Sequence, residues 1–273
     1  MLGLVTSQVM QMPGVDLQLV MKLLLQYFVS SLRIGAFLLS APLFGARWLP
    51  LQVRVIMALS MGAAVVGLMP AIDVNVLSSS VGIALIFIEI AVGLTAGLIL
   101  TIWFAAMLLA GEKIASTAGL GYAAQIDPMT GANTPVVSQI LYLFLLVIFI
   151  SVDGHLLAIA TMLESYRILP LGSPVAPDVL IAAGIGAAGS MFLSAAIIML
   201  PIAMVLLMIN VTVGIISRSA PTLNLFSFGF PITLISVFIL LYVSVGAFSV
   251  SSQDLIDSGL SYIQTMIGDL ANG

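Results

Sequence analysis

The chain has 273 residues, of which 62% are apolar and only 7% charged, and its net charge is −4. So high an apolar share indicates an integral membrane protein, and the negative charge argues against nucleic acid as a ligand. The absence of cysteine excludes disulfides, thiolate metal sites and thiol catalysis.

Six apolar segments of spanning length follow one another, near residues 17–40, 53–72, 81–110, 136–160, 179–216 and 230–250. We therefore expect an all-α membrane protein of about six long, partly kinked helices in a single membrane domain. The third and fifth segments would measure about 45 and 57 Å, more than the hydrocarbon core of about 30 Å. Tilt, protrusion into a protein assembly or a kink at Pro201 would absorb the excess.

Basic residues in the connections predict the orientation. One side of the membrane would hold Arg47, Arg54, Lys113 and Arg218, and the other would hold Arg167, with or without Lys22. This distribution favours a cytoplasmic location for the first, third and fifth loops, and an external N-terminus.

The first segment carries a polar stripe. Gln18, Lys22, Gln26 and Ser30 recur every four residues and Arg33 extends the row, so that all lie on one face of a helix. Lipid would reject such a face, which predicts contact with a protein neighbour or an aqueous cavity. The alternative is a segment lying partly in the interface, with Lys22 snorkelling to the headgroups.

Small residues predict close helix contact at two places, the GxxxG pair Gly93 and Gly97 and the pair Gly186 and Ser190. Glu89 lies one turn before Gly93 in apolar sequence. Its carboxyl group needs a donor on this or another chain, or else a proton and a hydrogen bond within its own bundle.

Catalytic patterns are missing from the sequence. His155 is the only histidine, and its neighbour Asp153 has no Ser or Cys partner at a recognisable spacing. We expect no enzyme, metal site or cofactor. Asp153-Gly154 predicts a turn in which Asp153 ends a helix and His155 bonds a nearby carbonyl group.

The stretch from Gly111 to Pro135 is the chemical exception. Gly119 and Gly121 permit unusual backbone conformations, and Asp127-Pro128 and Thr134-Pro135 end helices. A flexible, weakly polar loop at membrane depth is tolerated inside protein or against a water-filled cavity. We expect either a plug or constriction, or a surface connection folded against neighbouring helices.

An ordered set of motifs resembles the FliR family of bacterial flagellar export proteins. They are Arg33 through SAPLFG to Pro50 and Arg54, GEKIASTAGLGYAAQIDP (111–128), Ser138-Gln139, IFISVDGH (148–155) and RSAPTLNLFSFGFP (218–231). The resemblance covers nearly the whole chain. Thr233 after Phe230-Pro231-Ile232 favours the flagellar branch over the related injectisome export proteins.

The resemblance implies a non-enzymatic core subunit of the flagellar type III secretion export gate in the bacterial inner membrane, at the flagellar basal body. It implies a FliP-like part (1–178), a FliQ-like hairpin (179–250) and a C-terminal tail (251–273). FliP-like and FliQ-like subunits would surround an export channel together with this chain. FlhB-like and FlhA-like proteins would lie nearby, and exported flagellar proteins would be the substrates.

The resemblance also assigns residues. The channel-closing loop would correspond to Gly111–Asp127, with the plug or constriction built from Gly111, Glu112, Lys113, Ile114, Gly119, Leu120, Gly121, Tyr122 and Asp127. Together with Glu89, which its buried position singles out, a second group of motif residues is expected in subunit packing or turns: Arg33, Pro42, Arg54, Asp153, His155, Arg218, Pro221, Asn224, Phe226 and Pro231.

Two other classes remain open beside an export gate, flagellar or injectisome. A small-solute transporter would show two matching halves, and no convincing repeat is visible. A structural membrane scaffold would need no gated loop. Near the end of the chain, an apolar stripe from Leu255 to Leu270 predicts an amphipathic helix that docks on a partner or folds back on its own bundle.

Overall fold

The computed structural model describes residues 17–67, 80–119, 136–219 and 229–272. This part of the chain is helical, and the predicted all-α membrane fold is confirmed. Its helices are α1 (Leu17–Ser40), α2 (Leu51–Val66), α3 (Ser80–Thr117), α4 (Val136–Ser151), α5 (Gly154–Ile168), α6 (Pro177–Ser219), α7 (Phe230–Val243) and α8 (Val245–Asn272).

Helix length and hydropathy identify the candidate membrane spans. Helices α1, α3 and α6 are each long and apolar enough to cross a membrane, and the number rises to five if the bent pairs α4–α5 and α7–α8 each count as one span. Helix α2 has only 16 residues and is apolar but short. The overlong segments are confirmed, since α3 has 38 residues and α6 has 43. Pro201 lies inside α6 and does not end it.

The fourth predicted segment is two helices, α4 and α5, which meet at an angle of 66°. The break falls at Asp153, which has a positive φ of 56° that a right-handed helix cannot contain. The amide nitrogens of Leu156 and Leu157 both donate to the Asp153 carbonyl oxygen, so α5 begins directly after the break. The prediction that Asp153 ends a helix is therefore confirmed.

The described residues form two compact units. The first holds the chain up to Leu98, with Ile159–Ile181 and the C-terminal residues from Ile263. Here α1 packs against α3 at the predicted glycine pair. A Cβ on Gly93 would lie 2.0 Å from the Arg33 carbonyl oxygen, and one on Gly97 would lie 2.0 Å from Ser40 Oγ. Only glycine permits an approach this close.

The second unit holds Ile99–Ala158 and Ala182–Tyr262. Its core includes edge-to-face rings, with the Phe104 and Phe149 centroids 5.1 Å apart. Gly186 leaves room for Tyr262, whose hydroxyl oxygen would lie 2.1 Å from a Cβ at that position. The close approach predicted at Gly186 is thus present, although its partner is a tyrosine side chain.

The amphipathic C-terminal helix is also present, as the last part of α8. Its apolar stripe is buried by this chain itself, which answers the choice between a partner and its own bundle. The buried members include Leu255, Ile256, Leu260, Ile263, Met266, Ile267 and Leu270.

Candidate functional site

A buried ion pair lies in the first unit, within the apolar packing of α1 and α3. Arg33 Nε donates to Glu89 Oε2 at 2.8 Å, and Arg33 Nη2 donates to Oε1 at 3.0 Å. The two parallel bonds form the bidentate arrangement that an arginine and a carboxylate favour. Arg33 is fully buried and Glu89 is 1% exposed. Glu89 therefore has its donor on its own chain.

Helix α5 completes the surroundings of the Arg33 guanidinium group. Nη1 donates to Ser165 Oγ at 3.1 Å, and the ring centroid of Tyr166 lies 4.3 Å from Arg33 Cζ. A cation over an aromatic face is attracted by the ring quadrupole. The Tyr166 hydroxyl in turn donates to the Ser30 carbonyl oxygen. We call Arg33, Glu89, Ser165 and Tyr166 the charged cluster.

The charged cluster explains part of the polar stripe predicted on α1. Gln26, Ser30 and Arg33 are all buried within the protein. The Ser30 hydroxyl also donates a hydrogen bond to the Gly62 carbonyl oxygen, at 3.3 Å. These three members of the stripe therefore face protein, whereas Lys22 is only partly buried and the side chain of Gln18 lies outside the described part of the chain. Ser165 and Tyr166 were not anticipated, because they stand between the charged Glu164 and Arg167 at the polar end of α5, where no sequence pattern sets them apart.

The predicted plug segment differs from expectation in its first half. Gly111, Glu112, Lys113 and Ile114 were expected in a flexible loop, but they form the last turns of α3. Good helix formers at Glu112, Lys113 and Ala115 and the lack of proline explain this. Ile114 is fully buried, whereas Glu112 and Lys113 are exposed.

Helix α3 ends where a glycine permits the turn. The amide of Ala118 donates to the Ile114 carbonyl oxygen, and that of Gly119 donates to Ser116 at 3.0 Å. Gly119 has φ of +81°, which confirms the predicted use of its conformational freedom. Leu120, Gly121, Tyr122 and Asp127 lie outside the described residues.

Two contacts of the second unit hold this end of α3 in place. A Cβ on Gly111 would lie 2.5 Å from Ser138 Cα, so α3 and α4 pack backbone against backbone. Asn210 Nδ2 of α6 donates to the Thr117 carbonyl oxygen at 2.8 Å, which satisfies one of the free carbonyl groups at the helix end. Asn210 was not anticipated, although it is the one amide side chain in the apolar sequence of α6.

The remaining residues expected in packing or turns take local roles. Pro42 is buried after α1, and Arg54 Nη2 donates to the Ala46 carbonyl oxygen. The ring of His155 packs near Phe149, with centroids 6.4 Å apart. Its Nδ1 is buried and has no hydrogen-bond partner in the described part of the chain, so the expected bond to a carbonyl group is not made by this atom.

The late motif is only partly described. Arg218 is exposed in the last turn of α6, and Pro231 occupies the first turn of α7, where proline is well tolerated. Pro221, Asn224 and Phe226 fall outside the described residues.

The charged cluster does not have the composition of a catalytic or metal site. Over residues 17–67, 80–119, 136–219 and 229–272, no three His, Asp or Glu side chains gather as a metal site would require. Arg33 and Glu89 bond each other and leave no activated nucleophile beside them. The arrangement fits a structural tie between helices.

Comparisons with known proteins give a consistent result. The family model described as "Bacterial export proteins, family 1" matches residues 24–259. The chain is 33% identical over 210 residues to "Flagellar biosynthetic protein FliR" of Escherichia coli (strain K12), covering 76% of this chain and 79% of that relative. The protein of the same name from Bacillus subtilis (strain 168) is 28% identical over 242 residues, covering 86% and 92%.

Proposed function

Since the chain belongs to the bacterial export proteins of family 1, the family of the flagellar protein FliR, we propose that it is a non-enzymatic core subunit of the flagellar export gate. The observation that carries the proposal is α6, a 43-residue helix with large apolar side chains exposed along its length. At 1.5 Å per residue it measures about 64 Å, roughly twice the hydrocarbon thickness. The part beyond the lipid needs protein around it.

The proposed partners follow from this surface and from the family. FliP-like and FliQ-like subunits would cover the exposed apolar faces of α6 and enclose a channel, with FlhB-like and FlhA-like proteins beside it and exported flagellar proteins as the cargo. The assembly would lie in the bacterial inner membrane at the flagellar basal body. Within it, residues 1–178 would be the FliP-like part and 179–250 the FliQ-like hairpin.

The channel-closing role is proposed for residues 118–127, the part that follows α3. The support is the fixed start of this segment: Gly111 packs on Ser138, Asn210 bonds to Thr117, and Gly119 turns the chain out of the helix. A segment that starts from a fixed point and carries Leu120, Gly121 and Tyr122 has the apolar bulk to obstruct a passage. Gly111–Thr117 would act as its rigid support.

The experiment changes bulk without changing length. In Leu120→Ser/Tyr122→Ser, the plug would lose its two large side chains while α3 keeps its contacts. We expect cells or reconstituted vesicles with the variant to leak small ions, measured by a pH-sensitive or chloride-sensitive dye, while export subunits still copurify.

A matched control carries two similar replacements, Leu171→Ser/Val175→Ser, in the connection between α5 and α6, where both side chains are partly exposed. It should assemble without leak. An intact assembly that stays sealed in the plug variant would refute the plug and leave the subunit role standing. Failure to copurify with FliP-like and FliQ-like chains, with wild-type chain as reference, would refute the subunit role.

A further inference from the structure

A groove in the first unit runs between α1 and α2 and has a volume of about 350 Å³. Its walls are almost entirely apolar, from Phe28, Leu32 and Leu39 on α1, Val55 and Leu59 on α2, and Ile90 on α3. Several of these side chains are exposed at its rim, including Phe28, Leu39 and Val55. The α1–α2 groove is therefore open and apolar.

The dimensions of the α1–α2 groove restrict what can occupy it. From Phe28 to Leu39, α1 rises about 17 Å at 1.5 Å per residue. Spread over that length, and allowing for the radius of the atoms that would fill it, a volume of 350 Å³ gives a groove about 8 Å wide, whereas a helix with its side chains is about 10–12 Å wide. The groove thus suits a single extended hydrocarbon chain and is too narrow for a partner helix.

One charged residue, Arg54, lines the otherwise apolar groove in the first turns of α2. Its Nη2 is engaged by the Ala46 carbonyl oxygen. Its Nε is buried and has no acceptor among the residues that the structure describes. A phosphate oxygen is the acceptor that a guanidinium group binds well, through charge-assisted hydrogen bonds.

The connection between α1 and α2 indicates the depth of this end of the groove. Arg47 is exposed there, and Trp48 is 67% exposed. Basic and aromatic side chains of this kind are typical of the membrane–water interface. The neighbouring outer face of α2, with Val53 and Ile56 exposed, is apolar as lipid contact requires. Arg54 would then lie at headgroup level and the rest of the groove in the hydrocarbon.

We propose that the α1–α2 groove is a binding site for an anionic phospholipid, with one acyl chain along the groove and the phosphate at Arg54. The acyl chain would cover the exposed Phe28, Leu39 and Val55. The phosphate would bind the accessible part of the Arg54 guanidinium group, since the residue is only partly buried and pairs with no acidic side chain among the described residues. This site does not depend on the proposed channel-closing role, because all of its residues belong to α1, α2 and α3 of the first unit.

The test uses the full chain, extracted with its assembly in mild detergent and exchanged into an equimolar mixture of phosphatidylglycerol and phosphatidylcholine. Native mass spectrometry then counts the retained lipids. We expect wild type to retain phosphatidylglycerol at least fivefold over phosphatidylcholine, and Arg54→Gln to reduce that preference below twofold. Arg47→Gln removes an exposed charge outside the groove and should leave the preference unchanged.

Two further variants fill the groove without touching Arg54. A Cβ on Gly35 would meet only the Ala58 Cβ at 3.5 Å, an ordinary contact, so Gly35→Leu should fold and extend into the groove. Val55→Trp fills it from the exposed rim. Each should lower retained lipid at least threefold. Unchanged retention in both, or an undiminished preference in Arg54→Gln, would overturn the proposal.

The competing occupant is another subunit. In this cysteine-free chain, a single cysteine at Leu39 reports what lies over the groove. Crosslinking of that cysteine to a photoactivatable phosphatidylglycerol supports the lipid site. Efficient crosslinking to a partner chain instead would show that protein fills the groove and would overturn the proposal.

Discussion

Replacing either member of the Arg33–Glu89 pair by methionine is expected to destabilise the protein, and by unequal amounts. Glu89→Met removes two of the three hydrogen bonds of the Arg33 guanidinium group, leaving Ser165 Oγ and the Tyr166 ring as its partners. A guanidinium group cannot release its proton in a protein. Stranding it in the interior is expected to cost about 3–5 kcal/mol.

Arg33→Met leaves Glu89 without its two donors, but a carboxyl group can take up a proton and lose its charge. The remaining cost is that of an unsatisfied neutral polar group, about 1–3 kcal/mol. The double variant Arg33→Met/Glu89→Met replaces the pair by apolar side chains of similar size. Its free energy of unfolding should lie within about 1 kcal/mol of the wild-type value or above it, because replacing a whole buried ion pair by apolar side chains is often neutral or stabilising.

The assay is the free energy of unfolding of the purified chain in detergent, from denaturant titrations followed by circular dichroism. The control is the exposed pair Arg167–Glu164, in which Arg167 Nη1 lies 3.2 Å from Glu164 Oε2. Arg167→Met should lower the free energy of unfolding by less than about 1 kcal/mol. Equal losses in the two single variants, or single losses that simply add in the double variant, would refute the reasoning.

Three other variants test local features. Gly93→Ala places a Cβ 2.0 Å from the Arg33 carbonyl oxygen and should destabilise the protein by about 1–3 kcal/mol or prevent its accumulation in the membrane. Gly119→Ala forces an L side chain to φ of +81° and should cost about 1–2 kcal/mol, read from the unfolding free energy. Asn210→Leu removes the hydrogen bond to the Thr117 carbonyl oxygen. The rate of amide hydrogen exchange at the end of α3 should therefore rise about fivefold, which corresponds to the loss of about 1 kcal/mol of local stability.

Each variant has a matched control in the same chain. Gly189→Ala and Gly214→Ala add a Cβ that meets nothing within 4 Å, and they should be neutral or slightly stabilising. Asn272→Ala removes only a bond within its own helix, to the Gly268 carbonyl oxygen. Glycine variants no worse than these controls, or unchanged exchange in Asn210→Leu, would contradict the packing described.

Sequence patterns predicted the helices well, because hydropathy is averaged over whole segments and tolerates local exceptions. They also identified which residues needed partners. Arg33 and Glu89 could not be paired, however, since they are 56 positions apart and no local rule links them. The bond between Asn210 and Thr117 escaped for the same reason, at a separation of 93.

The error at residues 111–117 has a different origin. The glycines of this stretch, Gly111, Gly119 and Gly121, favoured its interpretation as a loop. Of these, Gly119 has a positive φ, Gly111 permits close packing within a helix, and Gly121 lies outside the described residues. A glycine reads the same in sequence whether it is needed for backbone freedom or for its missing Cβ. The neighbouring element that makes the distinction, Ser138 on α4, is known only from the fold.

The length of α6 bears on the fate of a copy that has not yet met its companions. To fit about 64 Å of helix within about 30 Å of hydrocarbon, a solitary chain would have to lean by about 60°, well past the 0–40° usual for spanning helices. A lean within the usual range leaves apolar side chains near the two ends of the helix, such as Ile181 and Ile215, in water. An unassembled copy therefore exposes apolar surface of α6 that no other subunit covers. We expect membrane proteases to recognise the copy by that surface. We expect its lifetime, and so its abundance, to follow the supply of the subunits that shelter α6.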